Sequence, residues 1–391
     1  MRKVFVTSYP YVYERYFKVF DYFPKKESLF FILPRIWEAK GGKIKVKIPG
    51  RQDIKISGAR AFFYHSRYPV IRGLLKGWMP RARKIIENNA AQGDILYTAI
   101  EPNLLTTYLN SRLAKRLGLK HVFFTWQNIP HEKRLSGLKL WLTRALITRT
   151  VDNSAGAICG NHKAAEILKK YIRRPDFKIL VAPISGVDTE KFRPNTPSDF
   201  RQKYNIENKT ILTFAGVFDN RKGIKTLLTT FSNVLKKLPK LHLAMIGTGP
   251  LEGFIQYFIE DNKMQDNITL IPWLPNEQLP GVFSNSDIFI HPSEPHGGWE
   301  EQFGYSMAEA SAAGLPVIAT KTGSISEVIR DDSTGILVEP QRVDQLEGAI
   351  VRLVEDPKLA REMGVAGRKY IEENYGHNTI ATKFFNLFSV L

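Results

Sequence analysis

Short apolar runs recur along this chain, and most are separated by stretches with helical spacing. Residues 2–7, 94–99, 121–125, 156–159, 178–181, 210–215, 241–246 and 287–291 read as strands. Residues 103–117, 139–151, 161–172 and 224–238 read as the helices between them. A helix inserted between two strands carries the chain back to the starting edge, so the next strand lies parallel to the last. The expected class is therefore α/β, with parallel sheets covered by crossover helices. One stretch departs from this rhythm. Residues 43–57 alternate weakly, in Lys43–Ile44–Lys45–Val46–Lys47–Ile48 and Ile54–Lys55–Ile56, and read as a hairpin with one polar face. The length of 391 residues suggests two domains.

The most informative local stretch is Glu301–Gln302–Phe303–Gly304–Tyr305–Ser306–Met307–Ala308–Glu309. Two carboxylates bracket a loop and the first turn of a helix. Gly314 is suited to end that helix, Pro316 enforces the stop, and Val317–Ala319 starts a strand. Backbone N–H groups at the helix start, beside a loop carboxylate, suit an anionic polyhydroxy ligand. A plainer reading also fits. Ser306–Met307–Ala308–Glu309 is an S-x-x-E capping box, in which Glu309 serves only the helix.

The spacing E-x(7)-E, with Phe303–Gly304 after the first Glu and Ala313–Gly314–Leu315–Pro316–Val317 after the second, resembles the donor-site signature of family 4 glycosyltransferases of the GT-B fold. That resemblance implies two Rossmann-like domains facing across a cleft. Their expected ranges are an acceptor-side domain at 1–184, a nucleotide-sugar domain at 185–375 and a returning helix at 376–391. The segment from Pro183 through Gly186–Val187–Asp188 to Phe192 and Pro194 resembles the family linker. The implied function is retaining transfer of a sugar from a nucleotide sugar to an acceptor, without a metal or other cofactor. By position, Glu301 contacts the donor sugar, Gln302, Phe303, Gly304 and Tyr305 offer loop amides, and Glu309 takes the ribose. Gly216, Gly247 and Gly249 bring backbone near the donor, and Trp273 and Leu274 lie near the base. Lys222 matches the family lysine that clamps the diphosphate. Val217 stands where the family has an arginine, and Arg221 is the substitute offered by the same loop. Where family members place a histidine near the donor sugar, this chain has Gln127 and Asn128, with His131 a few residues on.

Charge separates the halves. Residues 1–190 hold 35 Lys and Arg against 14 Asp and Glu, a balance of +21, and the rest of the chain carries −3. Such asymmetry points to an anionic partner. Residues 67–84 interleave Arg67, Arg72, Lys76, Arg81, Arg83 and Lys84 with Leu74, Leu75, Trp78 and Met79. This resembles an interfacial segment, or else an amphipathic surface helix broken at Pro80. The expected partners are a glycan or lipid-linked acceptor and an anionic membrane surface, with the protein peripheral on the cytoplasmic membrane face. A sugar-nucleotide hydrolase or phosphorylase on the same fold is the enzymatic alternative. A basic nucleic-acid-binding protein is the other, and no nucleic-acid motif supports it. No apolar run reaches the ~20 residues of a spanning helix. The lone Cys159 allows no internal disulfide, and no metal-ligand spacing is present.

Overall fold

The computed structural model describes residues 2–39, 42–45, 53–62 and 74–391. The chain divides into two units, residues 1–186 with 377–391, and residues 187–376.

In the first unit the strands are β1 (Val4–Thr7), β2 (Leu29–Pro34), β3 (Ile36–Ala39), β4 (Gly42–Lys45), β5 (Lys55–Ala59), β6 (Ile95–Thr98), β7 (Lys120–Thr125), β8 (Gly156–Cys159) and β9 (Lys178–Val181). Seven of them form one sheet in the order β5-β2-β1-β6-β7-β8-β9, and every pairing is parallel. Its strands are apolar on both faces, as a sheet covered on both sides requires. Phe5, Phe30, Ile32 and Leu96 point to one side, where helices Pro80–Glu87 and Leu105–Arg116 cover them. Phe123, Ala157 and Cys159 continue that side under helices Gly137–Asp152 and His162–Lys169. Val4, Val6, Phe31, Tyr97 and Phe124 point to the other side. There they meet Tyr11, Phe17 and Phe20, together with Phe384 and Phe388 of the last helix, His377–Val390. The aromatic stretch after β1 is thus mainly core.

Two local expectations fail. Residues 54–56 do not form a hairpin with 43–48, because β5 runs parallel to β2 inside the main sheet. The antiparallel partner of β4 is β3, and residues 46–52 lie outside the described residues. Nor does Pro80 break a helix. It occupies the first turn of Pro80–Glu87, where a missing N–H costs nothing. Met79 before it is buried, and Trp78 is half-buried against Phe62, at 6.0 Å between rings. Of the bulky apolar residues in the supposed interfacial segment, only Leu74 is exposed, while Arg67 and Arg72 lie outside the described residues.

The second unit holds β10 (Thr210–Ala215), β11 (Leu241–Ile246), β12 (Ile268–Ile271), β13 (Ile288–His291), β14 (Val317–Thr320) and β15 (Gly335–Val338). They pair in parallel in the order β12-β11-β10-β13-β14-β15. Counted from its own first strand this is 3-2-1-4-5-6, the doubly wound order. Its strand direction of travel reverses between β10 and β13, and ligands of such sheets sit outside the carboxyl ends of the strands there.

Candidate active site

Two loops leave the sheet at that reversal, residues 216–223 after β10 and 292–304 after β13. They are locked together. Glu294 N donates to Arg221 O at 2.8 Å. Gly223 has φ 62°, and a Cβ there would lie 1.9 Å from the Pro292 carbonyl oxygen, so only glycine allows this approach. Asp219 caps the short turn Asn220–Lys222 by accepting from Arg221 N at 3.0 Å. The turn aims Lys222 across the gap at Glu301.

Glu301 is not a solvated loop acid. It is 6 % exposed, and its Oε2 accepts from Lys222 Nζ, from Ser293 Oγ at 3.0 Å and from His291 Nε2 at 3.0 Å. Burial pushes its carboxyl up, but the Lys222 ammonium and the His291 bond outweigh this and hold it well below the usual carboxylate range. His291 is itself buried, and that desolvation lowers its pKa, so a neutral imidazole with its proton on Nε2 fits the bond to a carboxylate. Trp299 completes the cluster. Its indole lies 4.8 Å from the Arg221 guanidinium carbon and 5.1 Å from Lys222 Nζ. Arg221 also donates to Asp219 Oδ2 through Nε at 3.0 Å and through Nη2. The two loop cations therefore sit side by side, one balanced by Glu301 and the other by Asp219.

The helix after this loop, Tyr305–Ala312, starts from Gly304. Ser306 is thus inside the helix, and the capping box suggested by Ser306–Glu309 is not formed. The Glu309 carboxylate instead accepts from Asn276 Nδ2 at 3.2 Å, and Asn276 Oδ1 accepts from Lys191 Nζ at 2.6 Å. Gln302 and Tyr305 are half-buried, while Phe303 is buried against the rings of Tyr305 and Tyr375. Gly247 serves loop packing: with φ 147°, its Cβ would lie 1.9 Å from the Gly216 carbonyl oxygen. Gly249 approaches the Phe218 backbone in the same way. Trp273, just past β12, is 58 % exposed, and Leu274 beside it is half-buried.

The structure gathers Glu301, Lys222 and Arg221 in one cluster, with Glu309 on the following helix. Gln127, Asn128 and His131 belong to the other unit, in the loop after β7. There the Gln127 amide donates to Ile129 O, and Asn128 and His131 are buried. Burial lowers the His131 pKa. Sequence reasoning missed His291, Ser293, Trp299 and Asn276. The available signal was His291–Pro292–Ser293 at the carboxyl end of a strand bordering the reversal. It also missed Glu101. Its carboxylate accepts from Thr125 Oγ1 at 2.6 Å and Trp126 N at 2.7 Å, and burial raises its pKa. Among the described residues no group of three or more His, Cys, Asp or Glu side chains is arranged to hold a metal ion.

Comparison with known proteins places these features in context. Residues 197–370 match the family model described as glycosyl transferases group 1. The chain is similar to a GDP-mannose-dependent alpha-(1-6)-phosphatidylinositol monomannoside mannosyltransferase of Mycobacterium tuberculosis. The two are 30% identical over 202 residues, which is 51% of this chain and 52% of the relative. It is also similar to a D-inositol 3-phosphate glycosyltransferase of Paenarthrobacter aurescens, at 30% identity over 55% of this chain and 53% of the relative. The chain spans about half the length of the curated relatives it matches. Among solved structures, Anabaena HepE in complex with UDP superposes with a TM-score of 0.73 at 15% identity, covering 100% of both chains. Sucrose-phosphate synthase from Thermosynechococcus elongatus gives 0.73 at 18% identity, covering 100% of this chain and 99% of that one. These two likenesses establish a shared fold.

Proposed function

We propose that this chain, whose residues 197–370 belong to the group 1 glycosyl transferases, moves a sugar from a nucleotide-sugar donor to a hydroxyl of an acceptor, with retention of configuration and without a metal. The observation that carries the reading is the Lys222–Glu301–His291 cluster at the strand-order reversal. Lys222 has three N–H groups and gives one to Glu301, leaving others for the donor diphosphate. Arg221 stands beside it. The bond that breaks joins the sugar carbon to a phosphate oxygen, which leaves with the electron pair. Fixed cations aimed at that oxygen stabilise the developing charge, the kind of contact whose loss costs about 10²–10³-fold in rate. Glu301, held ionised, accepts hydrogen bonds from sugar hydroxyls and orients the ring. The acceptor oxygen bonds to the sugar carbon on the vacated face, and its proton passes to the departing phosphate. Exposed Trp273 offers a stacking surface for the base.

The relatives named for phosphatidylinositol monomannoside and inositol 3-phosphate support a polyol-phosphate or lipid-linked acceptor, and the +21 charge of residues 1–190 suits an anionic lipid surface. The test is a thermal-shift screen of UDP-, GDP- and ADP-sugars, followed by turnover with the stabilising donor in EDTA. A ligand of the native state raises the melting temperature by mass action. Transfer that survives EDTA and is well above donor hydrolysis is expected. Hydrolysis as fast as transfer would replace this reading with a hydrolase, and a strict divalent-metal requirement would remove its metal-independent part.

A further inference from the structure

Helix Gly137–Asp152 has two apolar faces, and the fold uses only one. Ile147 and Val151 are buried against the first unit's sheet. On the opposite side, Leu138, Trp141 and Leu142 stand 70%, 62% and 52% exposed. These positions recur at i, i+3 and i+4, so they form one contiguous ridge. No other helix among the described residues exposes three large apolar side chains at such spacing. An exposed Trp beside two Leu is costly in water and calls for a cover.

The surroundings indicate which one. Lys139 and Arg144 lie on the two flanks of the ridge, and Arg149 continues its line; all three are exposed. Next to this helix, on the same face of the sheet, is a groove of about 810 Å³ whose rim carries Arg83, Arg112, Lys115 and Arg116. The nearby acids are few. Glu132 is engaged by Arg144 at 3.4 Å, Glu87 by Arg83 and Arg116, and Asp152 ends the helix. An apolar ridge with basic flanks and long side chains able to reach sideways has the build of an interfacial helix. It suits the boundary between headgroups and acyl chains of an anionic bilayer. The ridge begins seven residues after His131, in the loop at the carboxyl end of β7.

We infer that the Leu138–Trp141–Leu142 ridge of helix Gly137–Asp152 inserts into the interfacial layer of an anionic lipid membrane, with Lys139, Arg144 and Arg149 contacting the headgroups. This rests on the membrane-proximal part of the function proposed above and names the element that makes the contact. It also differs from the segment expected from sequence, whose Met79 is buried in the core.

The test uses the full chain with phosphatidylcholine vesicles, with and without phosphatidylglycerol, read by co-sedimentation. A second readout is quenching of tryptophan fluorescence by brominated acyl chains. Wild type should pellet with the anionic vesicles, release at high salt and be quenched. Trp141→Phe should still pellet but lose most of the quenching. The triple variant Leu138→Ser, Trp141→Ser, Leu142→Ser should partition roughly tenfold less or weaker still. The ridge is solvent-exposed, so this variant should keep the wild-type melting temperature. Unchanged pelleting by the triple variant, or unchanged quenching of Trp141→Phe, overturns this inference while leaving membrane binding in place. A wild type that stays in the supernatant with both vesicle types overturns membrane binding itself. A wild-type dimer that the triple variant converts to monomer, without vesicle binding, assigns the ridge to self-association instead.

Discussion

At the scale of single residues, one carboxylate oxygen organises the site. Lys222, His291 and Ser293 all reach Glu301 Oε2, which fixes its rotamer. A loop acid seen only in sequence invites Glu301→Ala as a fold-neutral probe, but its burial argues otherwise. Removing one partner of a buried ion pair costs about 3–5 kcal/mol, so Glu301→Ala should lower the melting temperature as well as abolish transfer. Lys222→Ala should lower kcat by about 10²-fold or more; near-wild-type turnover would remove Lys222 from the leaving-group role. His291 is a positioning residue, since it acts through Glu301. His291→Phe should cost about tenfold or more in kcat, as expected when a reacting group is misplaced, and His291→Gln should recover part of this by restoring an N–H donor. Equal loss in both variants, with equal loss of stability, would reduce His291 to a packing role.

At the scale of elements, the site depends on two loops that touch because a glycine lies between them. Gly223→Ala brings a Cβ to within 1.9 Å of the Pro292 oxygen and strains a φ of 62°. The strain alone is worth about 1–2 kcal/mol, and the loop carrying Lys222 must move. Steady-state kinetics should show kcat falling by about 10²-fold while the first unit's stability is untouched. The last helix provides an independent case. Phe384 packs on Phe20 and Tyr97 at 6.2 Å in each pair and is fully buried. Phe384→Ala should destabilise by about 3–5 kcal/mol, read by denaturant unfolding.

At the scale of the whole molecule, buried neutral histidines make stability depend on acidity. His121 is fully buried between Ser154 Oγ at 2.7 Å and Thr98 Oγ1 at 3.0 Å, and burial pushes its pKa down to about 3. Unfolded histidine titrates near 6.5, so below that value the unfolded chain binds the proton and the native one does not. Stability is therefore full above about pH 6.5 and falls by about 1.4 kcal/mol per pH unit for this group as pH drops toward 3. His291 shifts in the same direction, and the depressed Glu301 adds a further loss at lower pH, below the usual carboxylate range. Melting temperatures at pH 7 and pH 5 should differ clearly, and His121→Gln should flatten the dependence; equal values at both pH would show that these groups titrate normally. The parallel sheets, the crossover helices, the stop at Gly314 and the Glu301…Glu309 spacing were legible in the sequence, because each rests on a local pattern of 4 to 20 residues. What meets Glu301 was not, since Lys222 lies 79 residues away and its approach depends on strand order. The capping box failed for a related reason: Gly304 took the cap and moved Ser306 inside the helix. The two basic, apolar segments look alike as sequence. Only tertiary packing decided that Met79 is buried while Trp141 faces solvent, because burial depends on which neighbours arrive from elsewhere in the chain.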